Sequence, residues 1–300
     1  MADHSSAEAA ATLPTLAVVG VGLIGGSFAA ALRRAGAVGR VLGVGRNRKS
    51  LQEAIALGLI DAEASVEEAG AQADIILLAV PVGATRQVLE AMRPHLRADT
   101  LITDAGSTKV DVVEAARAAL GERIGQFVPG HPIAGAEQTG PSAARATLYE
   151  DRTIILTPLD ENDARARRAI TRLWEACGAR VVLMEPEVHD VVLASVSHVP
   201  HFLSSVYMWQ VASADNADLR LELAGSGFRD FTRIAAGSPE MWRDIFLANR
   251  DAMLSELADV RLSLDRAEQA LRDGDAEELH DFLERAALAR RFWGKRSRLE

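Results

Sequence analysis

Six short runs of apolar residues, many of them β-branched, punctuate the first 185 positions. They are LAVVGVG (16–22), RVLGVG (40–45), ADIILLAVP (73–81), TLITDAG (100–106), TIILTPL (153–159) and ARVVLME (179–185). Between them apolar positions recur at helical spacing. A strand buried on one face alternates apolar with polar, whereas a strand buried on both faces reads as a continuous apolar run. The pattern therefore predicts a mostly parallel sheet with helices on both sides, a doubly wound, Rossmann-like α/β domain. After Pro186 the strand signal stops. Residues 186–212, 218–224, 239–273 and 276–293 read as helices, the third with Trp242, Ile245, Phe246, Met253, Leu254, Leu257 and Val260 on one stripe. The expected organisation is a short disordered leader over 1–14, an α/β domain over 15–185 and an all-helical domain over 186–300. Helical stripes with no sheet to cover them predict burial against a second copy, hence a homodimer.

Composition narrows the function classes. Of 300 residues, 48% are hydrophobic and 25% charged, enough to build a real core. A formal charge of −9 argues against a nucleic-acid or membrane-surface binder. No window reads as long enough in apolar residues to span a bilayer, and residues 1–14 carry no Lys or Arg to start a signal peptide. The single cysteine, Cys177, excludes an internal disulfide and fits a reducing compartment, so a cytoplasmic protein is expected. Its helical surroundings make it a buried small hydrophobe.

The candidate chemistry starts at VVGVGLIGGSF, where Gly20, Gly22 and Gly25 form G-x-G-x-x-G between a strand and a helix. Such a turn lets a pyrophosphate reach the backbone at a helix N-terminus, the signature of dinucleotide binding. About twenty residues on, where an Asp or Glu commonly bonds the adenosine ribose, stand Gly45, Arg46, Asn47 and Arg48. Two arginines without an acid suit a 2′-phosphate and predict NADP, with NAD the less favoured alternative; a plain solvated basic loop is the other reading. The full set expected to touch the cofactor is Gly20, Gly22, Leu23, Ile24, Gly25, Arg46, Asn47, Arg48, Val80, Pro81 and Asp104.

Two further clusters, DAGSTK (104–109) and VPGHPIAGAEQTG (128–140), should face the same cleft, because ligands of doubly wound sheets sit beyond the carboxyl ends of the strands. His131 lies in a predicted loop there. It is an acid–base candidate or a residue that only caps the turn. In the helical half, His198 and His201 stand three apart in SHVPHFLSS, and Arg229 and Arg233 four apart in GFRDFTRIA.

Taken together, GVGLIGGS, DAGSTK, GHPIAGAE, SHVPH and GFRDFTRIA…MWRDIF resemble the TyrA family, the prephenate and arogenate dehydrogenases of tyrosine synthesis, in order from about residue 16 to 249. The resemblance implies a Rossmann-like domain followed by a helical dimerisation domain. It also implies oxidative decarboxylation: hydride leaves C4 of a cyclohexadienol, CO2 leaves C1, and the ring becomes aromatic. It implies His131 as the catalytic histidine and Ser107 as the serine orienting the C4 hydroxyl. Arg233 would hold a substrate carboxylate, and His201, Glu137, Arg229 and His198 would line or support the substrate pocket. Many bacterial relatives carry an acid at the ribose position, so NADP rests on the local chemistry of this chain. No regulatory ACT domain is expected after the helical domain, so that feedback by tyrosine, if it occurs, is expected at the active site or the dimer interface.

Three rivals are weaker. A metal hydrolase built on His131, His198 and His201 lacks a nearby Glu base. A β-hydroxyacid dehydrogenase wants a lysine on the first helix of the C-terminal half, and 186–224 has none. A non-catalytic NADP-binding module leaves Ser107, His131 and Arg233 converging without a reason.

Overall fold

The computed structural model describes residues 14–136 and 138–296. The expected leader, apart from Pro14, and Glu137 lie outside them. The first strand shows why the apolar runs are continuous. In β1 (Leu16–Val19), Leu16 and Val18 enter one hydrophobic core while Ala17 and Val19 enter a second on the opposite face. The same division holds in β4 (Ile75–Leu78). With β2 (Val41–Val44), β3 (Ala62–Glu63), β5 (Leu101–Asp104) and β6 (Phe127–Val128), these strands form one parallel sheet in the order β3-β2-β1-β4-β5-β6. Strand order reverses between β1 and β4, which opens a crevice at their carboxyl ends.

Helices α1 (Leu23–Arg34), α2 (Arg48–Ala56), α3 (Val66–Gln72), α4 (Thr85–Met92), α5 (Val110–Leu120) and α6 (Ala164–Ala176) connect or cover the sheets. Phe28 of α1 and Trp174 of α6 meet at 4.5 Å between ring centroids, anchoring one core. Cys177 is buried in that core, and burial pushes its thiol up to about 12.

The runs at 153–159 and 179–185 do form strands, β8 (Thr153–Leu156) and β9 (Arg180–Leu183), but not in the parallel sheet. They join β7 (Gly130–Pro132) in a second sheet, β7-β8-β9, with β7 antiparallel to β8. His131 therefore sits in a short strand, opposite Ile155, and not in the expected loop. Its segment is too short and too rich in Gly and Pro to carry a strand signal of its own.

Among the described residues only helices follow: α7 (Pro186–Leu193), α8 (Val199–Ala212), α9 (Ala217–Glu222), α10 (Ser226–Thr232), α11 (Pro239–Ala248), α12 (Arg250–Asp273) and α13 (Ala276–Arg296). The helix expected over 239–273 is two helices, separated at the buried Asn249. The chain divides into two compact units, one reaching to Asn249 and one starting at Arg250, so α7 to α11 belong with the sheets. In the second unit α12 and α13 pack together, with an Arg266–Glu278 ion pair at 2.5 Å. Contrary to the sequence expectation, the 27-residue helical stretch Pro186–Ala212 holds an 18-residue window of mean hydropathy 1.3 and is, by length and composition, long and apolar enough to cross a bilayer. It leaves Val191, Val196 and Trp209 more than half exposed.

Candidate active site

The glycine turn separates packing from function. Gly20 has φ +98°, and a Cβ there would lie 2.2 Å from the Ala79 carbonyl oxygen. A Cβ at Gly25 would lie 2.2 Å from the Gly20 oxygen. The fold itself requires both. At Gly22 a Cβ would meet nothing within 4 Å. Gly22 starts α1 with no side-chain cap, and the first turn contains no acid. A helix start with free N–H groups, no acid of its own and open space at Gly22 fits a pyrophosphate. Leu23 and Ile24 form the same turn, half-buried against the core, and Tyr149 Oη donates to the Ile24 carbonyl at 2.7 Å. Val80 lies beside Gly20, with Pro81 exposed after it.

At the end of β2, Arg46, Asn47 and Arg48 are all exposed. Asn47 Oδ1 accepts from the Lys49 and Ser50 amides at 3.0 and 3.3 Å, so this side chain caps α2. Arg48 Nε lies 3.9 Å from Glu63 Oε2. Gly45, Arg46 and Arg48 line one wall of an open pocket of about 350 Å³, and Glu63, Ser65 and Glu68 line another. Basic and acidic groups share the pocket.

The end of β5 is built differently. Asp104, expected among the cofactor contacts, is buried, and its carboxylate is spent inside the protein. It accepts from Lys109 Nζ at 2.5 Å and from the Gly106 and Gly130 amides at 2.8 Å. Lys109 Nζ also donates to the Gly130 carbonyl at 2.8 Å. Both main-chain groups of the residue preceding His131 are thereby fixed to one buried ion pair. Ser107 lies half-buried on the intervening turn.

Behind His131 stand two residues that sequence reasoning missed. His131 Nδ1 lies 2.8 Å from His189 Nε2, and His189 Nδ1 lies 2.7 Å from Asp190 Oδ1. Asp190 in turn accepts from the Lys109 and Val110 amides at 2.8 and 2.9 Å, capping α5 from α7. Burial opposes the Asp190 charge, but the bonds from His189, Val110 and Lys109 outweigh it and hold the carboxyl below its ordinary value. An ionised carboxylate only accepts, so His189 carries its proton on Nδ1 and presents a bare Nε2. His131 must then carry its proton on Nδ1, which leaves its own Nε2 as an unprotonated base. Burial, with the nearby His189, Lys109 and His198, pushes His131 well below its ordinary 6.5, and burial likewise lowers His189. At neutral pH the pair is uncharged.

The helical side adds the second wall. Pro200 has no N–H to continue the helical ladder, and Ala194–His198 widens into a π-turn in which the Val199 amide reaches the Ala194 carbonyl. His201 Nδ1 donates to the Ser197 carbonyl at 2.8 Å, and its ring stacks on Trp242 at 3.8 Å. Gly237 makes room for this indole; a Cβ there would lie 2.4 Å from Trp242 Nε1. Burial and then the charge of Arg233 lower the His201 pKa. Arg229, on α10, is exposed. His198, expected in the substrate pocket, is buried, with Nδ1 3.0 Å from Asn249 Nδ2. His189 and Asp190 adjoin the Pro186 helix start and looked like ordinary helical positions; only their contacts reveal them. Lys109, read as part of a motif, gave no sign that it would be buried.

Comparison with known proteins finds related sequences and folds. Residues 28–183 match the family profile "Prephenate dehydrogenase, nucleotide-binding domain", and residues 185–285 match "Prephenate dehydrogenase, dimerization domain". The chain is 36% identical to prephenate dehydrogenase of Bacillus subtilis over 91% of its length and 74% of that protein's. It is 35% identical to cyclohexadienyl dehydrogenase of Zymomonas mobilis over 92% and 94% of the respective lengths. Among solved structures, prephenate dehydrogenase from Aquifex aeolicus in complex with hydroxyphenyl propionate and NAD+ superposes with a TM-score of 0.87 at 35% identity, covering 93% of this chain and 98% of that one. Synechocystis arogenate dehydrogenase superposes with a TM-score of 0.78 at 30% identity, covering 93% and 99%.

Proposed function

The chain belongs to the prephenate dehydrogenase family, and from that membership we propose that it is an NADP-dependent dehydrogenase that oxidatively decarboxylates prephenate, arogenate or both. The observation that carries the reading is the proton order of Asp190, His189 and His131, which leaves His131 Nε2 bare. Bound at the Gly22 turn, the nicotinamide cofactor supplies the hydride acceptor. His131 Nε2 accepts the hydrogen bond of the C4 hydroxyl and takes its proton as hydride leaves C4. Loss of CO2 from C1 leaves an electron pair in the ring, and the borrowed proton returns to the resulting phenolate oxygen. The step balances with no net proton released. While His131 holds that proton, His189 accepts from its Nδ1 and the Asp190 charge stabilises the imidazolium. Ser107 orients the C4 hydroxyl. Arg233, with its planar fork, holds a substrate carboxylate beside His201.

NADP is favoured because glycine stands at position 45 and Arg46 and Arg48 line the adjoining pocket. A second reading has one observation behind it: Glu63 and Glu68 line the same pocket, and a carboxylate there can accept from a ribose 2′-OH. Dimerisation through the apolar helices is part of the proposal, supported by the exposed Val191, Val196 and Trp209 and by the name of the second family profile. Turnover of prephenate and arogenate with NADP and NAD on one purified sample tests the activity and the cofactor choice, and light scattering on the same sample tests the dimer. Absence of turnover with either substrate sinks the dehydrogenase reading; kcat/KM for NAD equal to or above that for NADP at low salt sinks the cofactor choice.

A further inference from the structure

Ser204 and Ser205 stand side by side on α8 and use their hydroxyls differently. Ser205 is exposed, and its Oγ donates to the His201 carbonyl at 2.9 Å, one turn back in its own helix. That is the ordinary resort of a serine within a helix. Ser204 is 0% exposed, and its Oγ donates away from α8, to the Phe231 carbonyl at 2.9 Å. A hydroxyl has one proton, so this bond takes all that Ser204 can donate.

Phe231 is the last residue but one of α10. The final carbonyls of a helix lack donors from their own ladder, so Ser204 meets a group that α10 leaves open. Directly afterwards the chain tightens into a 3-10 turn, Arg233–Ala236, which begins with the arginine and lies along α8. Every residue of α10 and of this turn is at least partly exposed, so no fully buried side chain pins the segment. Two contacts tie it to α8. One is the Ser204 bond; the other is the Tyr207 ring, one turn further on, 5.9 and 5.7 Å from the rings of Phe228 and Phe231. One turn before Ser204 stands His201, stacked on the Trp242 ring for which Gly237, just after the 3-10 turn, makes room.

We propose that Ser204 is a positioning residue for substrate binding: by holding the Phe231 carbonyl it fixes where α10 ends, and so where Arg233, two residues on, presents its guanidinium relative to His201. A fork that must meet both oxygens of a carboxylate tolerates little displacement, and a segment without a buried anchor depends on such a bond to stay in place. The consequence for substrate rests on the reading of Arg233 as the carboxylate holder; the brace between α8 and α10 does not.

The test has two arms. In the ligand-free, full-length protein, Ser204→Ala should speed amide hydrogen exchange of residues 226–236 about tenfold, the usual worth of one neutral hydrogen bond, and leave α5 unchanged. Unchanged exchange overturns the proposal whether or not the protein turns over prephenate. In the second arm, hydroxyphenyl propionate is titrated calorimetrically with NAD+ present. Ser204→Ala should bind it about tenfold more weakly than wild type, whereas Ser204→Ala with Arg233→Ala should bind no more weakly than Arg233→Ala alone. In turnover, substrate KM should rise about tenfold with kcat within about threefold and nucleotide KM unchanged. Ser204→Cys keeps the volume but donates weakly, and should lose binding with alanine. A cysteine variant that binds like wild type makes volume the cause and overturns the proposal. An alanine effect of equal size in both Arg233 backgrounds overturns it too, because Ser204 then acts without Arg233. Faster exchange in a protein whose wild type ignores hydroxyphenyl propionate overturns the substrate role and the carboxylate reading of Arg233 together, and leaves the brace standing.

Discussion

At the end of β2 the charged groups stand in water: the Arg48 side chain is 82% exposed and meets Glu63 only at 3.9 Å, while Arg46 projects beside it. Three strands away, at the end of β5, Lys109 and Asp104 are 0% and 2% exposed, bonded at 2.5 Å and both tied to Gly130. An exposed ion pair is worth about 0–1 kcal/mol and can exchange its partner for a ligand at little cost. Removing one member of a buried pair strands the other and costs about 3–5 kcal/mol. One corner of the sheet edge is therefore adjustable and suits the choice between two nucleotides. The other is rigid and suits the placement of a base.

The sharpest way to break this contrast is at the base itself. His131→Asn should lower kcat by roughly two to four decades, the usual contribution of a positioned acid–base group. Affinity for the nucleotide, measured by fluorescence titration, should stay within about threefold, because the two corners hold different parts of the ligand set. A variant with near-normal kcat removes His131 from the chemistry.

These corners were unequally legible in the amino-acid sequence. The parallel sheet was readable because its strands are buried on both faces, and that demand shows in every residue of LAVV and IILL. The glycine turn and the arginines were readable because short-range spacing sets them. Membership of β8 and β9 in a separate sheet was not, since partner choice depends on β7, a three-residue strand of Gly, His and Pro. Nor was the His131–His189–Asp190 chain, whose members lie 58 residues apart and one residue apart along the sequence. A histidine and an aspartate side by side on a helix resemble surface residues until folding buries them. Asp104 and Asn47 were identified as ligand residues from position alone, but the fold spends their side chains on Lys109 with Gly130 and on the α2 cap.

The buried corner should also declare itself in the pH dependence of stability. His198 titrates at about 4 in the folded protein against an ordinary 6.5, and burial lowers His131 and His189 too. Between those values the unfolded chain binds protons that the folded one refuses, so stability is full above pH 6.5 and declines as pH falls toward 4. His198 alone accounts for about 3 kcal/mol at most over that window. The lowered Asp190 acts further down, its contribution being lost only as pH falls through its folded value below the ordinary 3.8. Urea midpoints at pH 7 and pH 4.5 should converge in His198→Gln; identical pH slopes for wild type and variant would remove His198 from the account.

The exposed corner should instead be rewritable. Gly45→Asp with Arg46→Ser supplies a ribose acceptor, deletes one phosphate donor and sets a like charge against the phosphate. A Cβ at Gly45 would lie 3.3 Å from Leu51 Cδ2, so Leu51 must yield by a few tenths of an ångström. The ratio of kcat/KM values should swing toward NAD by about a hundredfold, some 2.7 kcal/mol. Unchanged thermal stability alongside the swing is the signature of the adjustable corner; a large fall in Tm would show that the loop is as rigid as its counterpart.

The smallest expected effect separates the two cofactor readings most cleanly. Glu63 Oε2 competes for Arg48 across 3.9 Å and brings a negative charge to the pocket wall. Glu63→Gln removes that charge with almost no change in shape, and loss of so exposed and long a pair should leave stability within about 0.5 kcal/mol. If the pocket takes a 2′-phosphate, Arg48 is released to it and the repulsion disappears. KM for NADP should then fall about two- to threefold at low salt, while KM for NAD stays put. The gain should fade as ionic strength rises, because about 10 Å of screening length at 0.1 M salt leaves little of an interaction between groups this exposed. A KM for NADP indifferent to Glu63→Gln at low salt means that the pocket holds no phosphate and the arginines are merely solvated. A KM for NAD that rises instead makes Glu63 the ribose acceptor, and the exposed corner then selects NAD through an acid supplied by β3 in place of the one missing from β2.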